Sequence, residues 1–374
     1  MKKHDELLAK TLSSKPQSKI SCLIYTNNPE TLKPQLKALG INILMSFPFI
    51  NAISVSGYTD AIKKLLHFES VKFVSSQTEV FAMMNIANQI LGTNNFGQGD
   101  NQTIAYIDTG ISPHLDFTLQ TNRIIKFIDL INHRIFPYDD NGHGTFVAGV
   151  GSGNGLISNG KYRGVCPKSN IIAIKALDKS GEANAIKILE AMQWIYDNYK
   201  KYNIKVVCMS FGSEPLGEND PIMQGAEKLW DENLVVVSAA GNSGPEYKTI
   251  KSPGISRKII TVGGFDDNRI DEHSFMPEYF EIASFSSRGP ALEEFKPDVV
   301  APAVDITSCG LTSPYTKLSG TSVATPMIAG ISALLLEKNP TLSPTKIKKM
   351  ILDNAKPISF NKNQEGYGYL TFNK

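Results

Sequence analysis

Two rhythms of apolar and polar positions divide the chain. Over the first ~80 residues, short runs with strand character take turns with amphipathic stretches. SCLIYT (21–26), INILMSFPFI (41–50), NAISVSG (51–57) and VKFVSSQTEVF (71–81) are candidate strands. PETLKPQLKALG (29–40), ending at Gly40, and DAIKKLLHF (60–68) are candidate helices. Strand, helix, strand, strand, helix, strand is the split βαβ arrangement of a small α+β unit. Residues 83–102 read as linker plus a short helical turn. From residue 103 the rhythm changes. TIAYI, IIAIKAL, IKVVCMSF, LVVVSAA and KIITVGG are near-continuous apolar runs, as strands buried on both faces require. Residues 184–201 and 221–232 between them have helical periodicity. That alternation predicts an α/β unit with a mostly parallel central sheet and helices on both sides. The chain thus reads as two domains, 1–84 and 85–374.

Composition narrows the partners. Hydrophobic residues make up 41% of the 374 and charged residues 20%, as in a globular protein with a substantial core. Net charge is +2 with no basic stripe, which argues against nucleic acid. Residues 1–86 hold ten lysines and six acids, net +4, leaving −2 on the remainder, a mild asymmetry that favours docking of the two parts. The uncharged run 41–59 carries Asn42, Ser46, Pro48, Asn51, Ser54 and Ser56 and suits two strands and a turn, so no membrane span is expected. The N-terminus MKKHDELLAKTLSSKPQ lacks an apolar segment behind its lysines, which argues against a secretory signal and for a cytoplasmic protein. Cys22, Cys166, Cys208 and Cys309 show no CxxC pairing and are expected to be reduced and mostly buried.

In parallel sheets reactive groups gather at the carboxyl ends of strands. Asp108 opens DTG directly after TIAYI; alone it would be a turn residue. An aspartic protease also uses DTG after an apolar strand, but it needs two such aspartates. The chain has no second DTG or DSG, so that reading survives only as a homodimer. In DDNGHGTFVAGVGSG (139–153), His143 stands between glycines that let another group approach its ring. No HExxH and no second histidine at i+4 accompany it, so no metal site is expected. LVVVSAAGNSGP (234–245) ends a buried strand with Asn242 in a glycine turn, either a turn residue or an amide aimed at a developing oxyanion. In LSGTSVATPMIAGISALLL (318–336), Ser322 stands where a helix begins, with Pro326 in its first turn. An N-capping role is the ordinary explanation. A nucleophile at the positive helix end is the other. Together the four supply an acid, a base, an amide donor and a nucleophile, in the order Asp, His, Ser.

Those segments carry a resemblance. IDTG, NGHGTFVAG, AAGN and GTSVATP resemble the four signature segments of the subtilisin-like serine proteases, and SFGS, FSSRGP and KPDVVAPAVDI add to the likeness. It spans roughly residues 85–374. The resemblance implies a subtilisin-like three-layer fold, preceded by a ferredoxin-like propeptide domain that aids folding and inhibits. It implies Ser322 as nucleophile, His143 as base and Asp108 as its orienting acid, with Asn242 and the Ser322 N–H as oxyanion hole. Removing that asparagine in subtilisin costs about 10²–10³ in rate. Ser210, Phe211 and Gly212 would pair with an extended substrate, and Ala239, Ala240 and Gly241 would wall the primary pocket. Neither segment is bulky or charged, so a broad apolar preference is expected. No cofactor is required. GSGNGLISNGKYRGV (151–165) does not look like the calcium loop of secreted subtilisins, which leaves Ca²⁺ open but unsupported. Val323, Thr325 and Met327 depart from the family's usual Met, Ser and His, without touching the triad.

The expected protein is therefore a self-processing serine endopeptidase of the intracellular, AprX-like branch, acting on proteins or peptides. Processing is expected within 78–90, and Phe81 would point to the Met84–Asn85 bond if an aromatic four residues before the cut is preferred. The competing class is a non-catalytic, peptide-binding or regulatory protein on the same fold.

Overall fold

The computed structural model describes residues 3–4, 6–14, 17–47, 51–76, 88, 90–93, 96–269 and 276–372. Phe81 and the Met84–Asn85 bond fall outside these. The chain divides into two compact units, Met1–Val80 and Phe81–Lys374.

In the first unit α1 (Glu6–Ser14) precedes β1 (Lys19–Thr26), α2 (Pro29–Ala38), β2 (Asn42–Phe47), β3 (Ala52–Tyr58), α3 (Thr59–Leu65) and β4 (Val71–Ser76). The strands form one antiparallel sheet in the order β2–β3–β1–β4, the ferredoxin-like arrangement. Helix α2 starts where Asn28 accepts the Thr31 N–H and Pro29 occupies the first helical position, where a missing N–H costs nothing. Leu32 and Leu36, one turn apart, join Ile24, Val55 and Val74 in the core. Helix α1 was not legible in the sequence. Its two buried leucines, Leu8 and Leu12, complete that core.

The second unit contains β5 (Thr103–Asp108), β6 (Ile124–Asp129), α4 (His143–Ser152), β7 (Asn170–Lys175), α5 (Ala185–Asn198), β8 (Ile204–Met209), α6 (Pro221–Asp231), β9 (Val235–Ala239) and β10 (Ile260–Asp266). It continues with β11 (Glu281–Ile282), β12 (Val299–Pro302), the hairpin β13 (Ile306–Cys309) and β14 (Tyr315–Leu318), α7 (Thr321–Lys338), α8 (Pro344–Asp353), β15 (Ala355–Lys356) and β16 (Tyr369–Leu370). The main sheet runs β15–β16–β12–β10–β9–β8–β5–β7–β6. All pairings from β6 to β16 are parallel, while β15 and β11 join antiparallel. All six residues of β5 and all five of β9 are buried, because helices cover both faces. Helix α6 packs on β9, as does α7, which also covers β8 and β10. Apolar all round, α7 is the central helix of this three-layer fold. It begins at Thr321, so Pro326 is its sixth residue rather than part of its first turn, and the bond it cannot donate is the one to the Ser322 carbonyl.

Chain order places the site. From β5 the chain moves to one side, building β7 and β6, then returns to build β8, β9 and β10 on the other. The carboxyl end of β5 is therefore the point where strand order reverses, and a crevice opens at such points. Asp108 ends β5, Ser210 follows β8, and Asn242 lies three residues past β9. These are three adjacent strands.

Candidate active site

Asp108 is buried at the end of β5, and its Oδ1 accepts the Thr109 N–H at 2.7 Å. The same oxygen lies 2.7 Å from His143 Nδ1. With Nδ1–H donated to the carboxylate, a neutral ring keeps its lone pair on Nε2. His143 is the first residue of α4, preceded by Gly142 at φ 105°, which a side chain would resist. Its neighbour Gly144 is required by packing: a Cβ there would overlap the Gly110 carbonyl and stand 3.1 Å from Asp108 Cβ. That close approach seats the histidine on the aspartate. Burial alone would lower the pKa of His143, but the charge and hydrogen bond of Asp108, with Asp139 adding, outweigh it and raise the value above the ordinary 6.5.

A second carboxylate organises this corner. Asp139 Oδ1 accepts from Thr109 Oγ1 (2.9 Å), Asn141 N (3.1 Å) and Gly142 N (2.9 Å). Its Oδ2 accepts from Thr145 N (2.9 Å) and Thr145 Oγ1 (2.7 Å). Burial would raise its pKa, yet these donors hold it below the usual carboxyl value. Asp139 thus ties the residue after Asp108 to the turn that carries His143. Beside it, the fully buried Lys175 at the end of β7 donates to Thr109 O (2.7 Å), Leu177 O (2.9 Å) and Asp140 Oδ1 (2.7 Å). Every direction its ammonium can use is taken, as a buried charge requires.

Asn242 and Ser322 meet around Gly320. A Cβ on that glycine would stand 3.2 Å from both Asn242 Nδ2 and Ser322 Oγ. Asn242 is oriented by Thr321, whose N–H and hydroxyl donate to Asn242 Oδ1 at 2.9 and 3.0 Å. With Oδ1 thus engaged, the amide's N–H side faces the glycine and the serine. Thr321 Oγ1 also accepts the Gly241 N–H at 3.2 Å, binding the β9 turn to the start of α7. Ser322 is the second residue of α7, in a first turn whose N–H groups have no intrahelical acceptor. Helices α4 and α7 pack on each other, so both pairs stand at the amino ends of two joined helices. The cap position is Gly320, and among the described residues Ser322 makes no capping bond.

Ser210 is buried and Phe211 half-buried after β8. Among the described residues, Gly212 has no backbone hydrogen-bond partner, which leaves its N–H and C=O for an added strand. Ala239 and Ala240 are buried, and Gly241 has φ 107°. Ala240 donates to Val262 O and accepts from Lys251 N, both at 2.9 Å. The segment Phe211–Glu214 also lines a cleft of about 480 Å³ together with Leu177, Ile188 and Ile222.

The sequence and fold have known counterparts. Residues 99–369 match the family model described as "Subtilase family". The chain belongs to that family. It is 38% identical over 337 residues to "Serine protease AprX" of Bacillus subtilis (strain 168), covering 82% of this chain and 74% of that protein. To "Subtilisin DY" of Bacillus licheniformis it is 34% identical, over 69% of this chain and 85% of that one. Among solved structures, "S41 Psychrophilic Protease" aligns with a TM-score of 0.66 at 27% identity, covering 77% of this chain and 97% of that chain. This subtilase is a serine endopeptidase, with protein or peptide substrates.

Other chemistries find less support in the site. All four cysteines are buried and none forms a disulfide among the described residues, and burial pushes the thiols of Cys166, Cys208 and Cys309 up, away from the thiolate. Among the described residues, His114, Asp116 and Cys309 bring candidate metal-ligand atoms within 4.8 Å of one another. They are already engaged: His114 Nδ1 accepts the Asp116 N–H, His114 Nε2 reaches Pro314 O at 2.7 Å, and Asp116 Oδ2 accepts from Tyr315 at 2.6 Å. Among the described residues no helix is long and apolar enough to cross a membrane.

Sequence reasoning missed Asp139, Lys175 and Thr321. Lys175 had a signal, a lysine inside the apolar run IIAIKAL, and buried charge in a strand is rarely idle. Thr321 lies within GTSVATP and Asp139 two residues before NGHGTFVAG, and neither had a further signal.

Proposed function

We propose that this subtilase cleaves peptide bonds through the triad Asp108–His143–Ser322 and an acyl-enzyme. Ser322 Oγ attacks the scissile carbonyl while His143 Nε2 takes its proton. Asp108 holds Nδ1–H and stabilises the imidazolium. Charge developing on the carbonyl oxygen is met by Asn242 Nδ2–H and the Ser322 N–H. The imidazolium then protonates the leaving amine, and water repeats the sequence to release the acid. These groups supply every proton and the nucleophile, so the chemistry requires no cofactor. The observation that carries the reading is the 2.7 Å Asp108–His143 bond, on a ring whose Nε2 is left as the base.

The substrate would lie extended along Ser210–Phe211–Gly212, with its primary side chain between that segment and Ala239–Gly241. Apolar neighbours on both support acceptance of apolar side chains. The first unit, residues 1–84 in this reading, acts as propeptide and intramolecular inhibitor in a cytoplasmic zymogen, removed by a cut within 78–90. Its ferredoxin-like topology and its mild excess of lysine support that role.

Two measurements on one pair of proteins test this. A fluorophosphonate probe is expected to label the wild type and not Ser322→Ala. Intact mass over hours of incubation is expected to fall by the first 80–90 residues in the wild type only. A folded wild type that neither reacts nor hydrolyses peptides would sink the catalytic reading, and equal processing of both proteins would remove self-cleavage from it.

A further inference from the structure

The two segments assigned to the primary pocket enclose a third residue. Gly212 and Gly241 both face the stem of Lys251: a Cβ on Gly212 would stand 2.6 Å from Lys251 Cβ, and one on Gly241 2.5 Å from Lys251 Cγ. Backbone bonds fix this position. Lys251 N donates to Ala240 O at 2.9 Å, while Ser213 and Ser252 exchange N–H to O bonds of 3.0 and 2.9 Å. Residues 251–252 therefore lace the two walls together, with glycine on each wall because a side chain there would meet the lysine stem. The side chain of Lys251 is only 18% exposed, and its ammonium pairs with the carboxylate of Glu214, which is 81% exposed. The cation is the inner partner and the anion the outer one.

We propose that Lys251 determines specificity in the primary pocket, favouring substrates with a carboxylate or amide oxygen on the residue before the scissile bond, and that Glu214 holds that place until substrate arrives. The proposal rests on reading residues 210–212 and 239–241 as the pocket walls. An exposed carboxylate gains little from such a pair, because water competes for it and its own side chain must be held still. A substrate glutamate between the walls meets the same ammonium with water excluded, where a charge-assisted bond is stronger. Substrate lysine or arginine faces a like charge instead. Apolar side chains can lie along the lysine's methylenes. They form the baseline on which the charge selects.

Peptide nitroanilides differing only in the residue before the bond (Glu, Gln, Leu or Lys) test this, with active sites counted by fluorophosphonate labelling. Wild type is expected to cleave the Glu and Gln members at least as well as Leu, and Lys least well. Lys251→Met keeps the stem and removes the charge. It is expected to lower the Glu-to-Leu ratio of kcat/KM by about 10–100-fold, the worth of one charge-assisted hydrogen bond, and to raise Lys relative to Leu. Glu214→Gln is expected to raise the Glu-to-Leu ratio, and it stands as a test should Lys251→Met fail to fold. Labelled enzyme that prefers Lys over Glu, or ratios unmoved by either variant, would overturn this proposal and leave the protease reading intact. No labelling and no turnover of any member would overturn both.

Discussion

Asp139 offers the sharpest test of how the site is held together. Asparagine is nearly isosteric and can keep one oxygen toward Thr109, Asn141 and Gly142, the three donors now on Oδ1. Its amide nitrogen then faces Thr145, where the hydroxyl can turn round to accept but the backbone N–H cannot. One buried donor left unpaired costs about 1–3 kcal/mol, and the surviving bonds lose their charge assistance. A loss of about 2–3 kcal/mol follows for Asp139→Asn, or about 4–12 °C in the Tm of a unit this size. Because the native pKa of Asp139 is depressed, its contribution is present above the ordinary carboxyl value of 3.8 and is lost as pH falls through the lower native one. The Tm difference between aspartate and asparagine should therefore narrow in acid. Thermal scans on a Ser322→Ala background avoid self-digestion. Catalysis supplies a second reading, on the active enzyme. Asp139 helps raise the pKa of His143, whose neutral form is the proposed base. Without that charge the acid limb of kcat/KM moves to lower pH, while kcat at the optimum falls by about tenfold as His143 loses its anchored turn. An unchanged Tm together with an unmoved acid limb would refute the reasoning.

Asn242→Ala removes one of the two proposed oxyanion donors and should lower kcat by about 10²–10³ with little change in KM, measured on a peptide nitroanilide. Lys175→Met leaves the Thr109 and Leu177 carbonyls and Asp140 without their shared donor. It should cost about 3–5 kcal/mol in urea unfolding, a loss that a merely peripheral lysine would not produce.

The strands of the second unit were legible because burial on both faces erases polar positions, and the candidate site was legible because glycines mark its close approaches. What escaped notice had physical reasons. Strand β6 (IIKFID) is an edge strand with one face partly open, so Lys126 interrupts its apolar run and hides it. Helix α1 owes its place to two leucines meeting a core built from residues far along the chain. Lys251 lies about forty residues from Gly212 and ten from Gly241, and only folding brings its stem between them. The proposed pocket walls carry no charged side chain of their own, so neither segment pointed to Lys251 in the sequence. His143 and Asp108 could be paired from their motifs, whereas the carboxylate behind them, Asp139, is one acid among several until its donors are seen.

Adjacent strands in a sheet are held about 4.8 Å apart by their hydrogen bonds. Asp108 ends its strand, and Ser210 and Asn242 stand one and three residues past the ends of the two neighbouring strands, so the sheet acts as a ruler for the crevice, graduated in strand widths. Lengthening a loop beyond these positions leaves the graduations unchanged, since the strands that set them are untouched. Variation in this chain's surface is thereby uncoupled from the spacing of its candidate site residues. An engineer could exchange the Phe211–Glu214 segment or the turn bearing Lys251 for another of different chemistry and still find acid and amide donor the same number of strands apart.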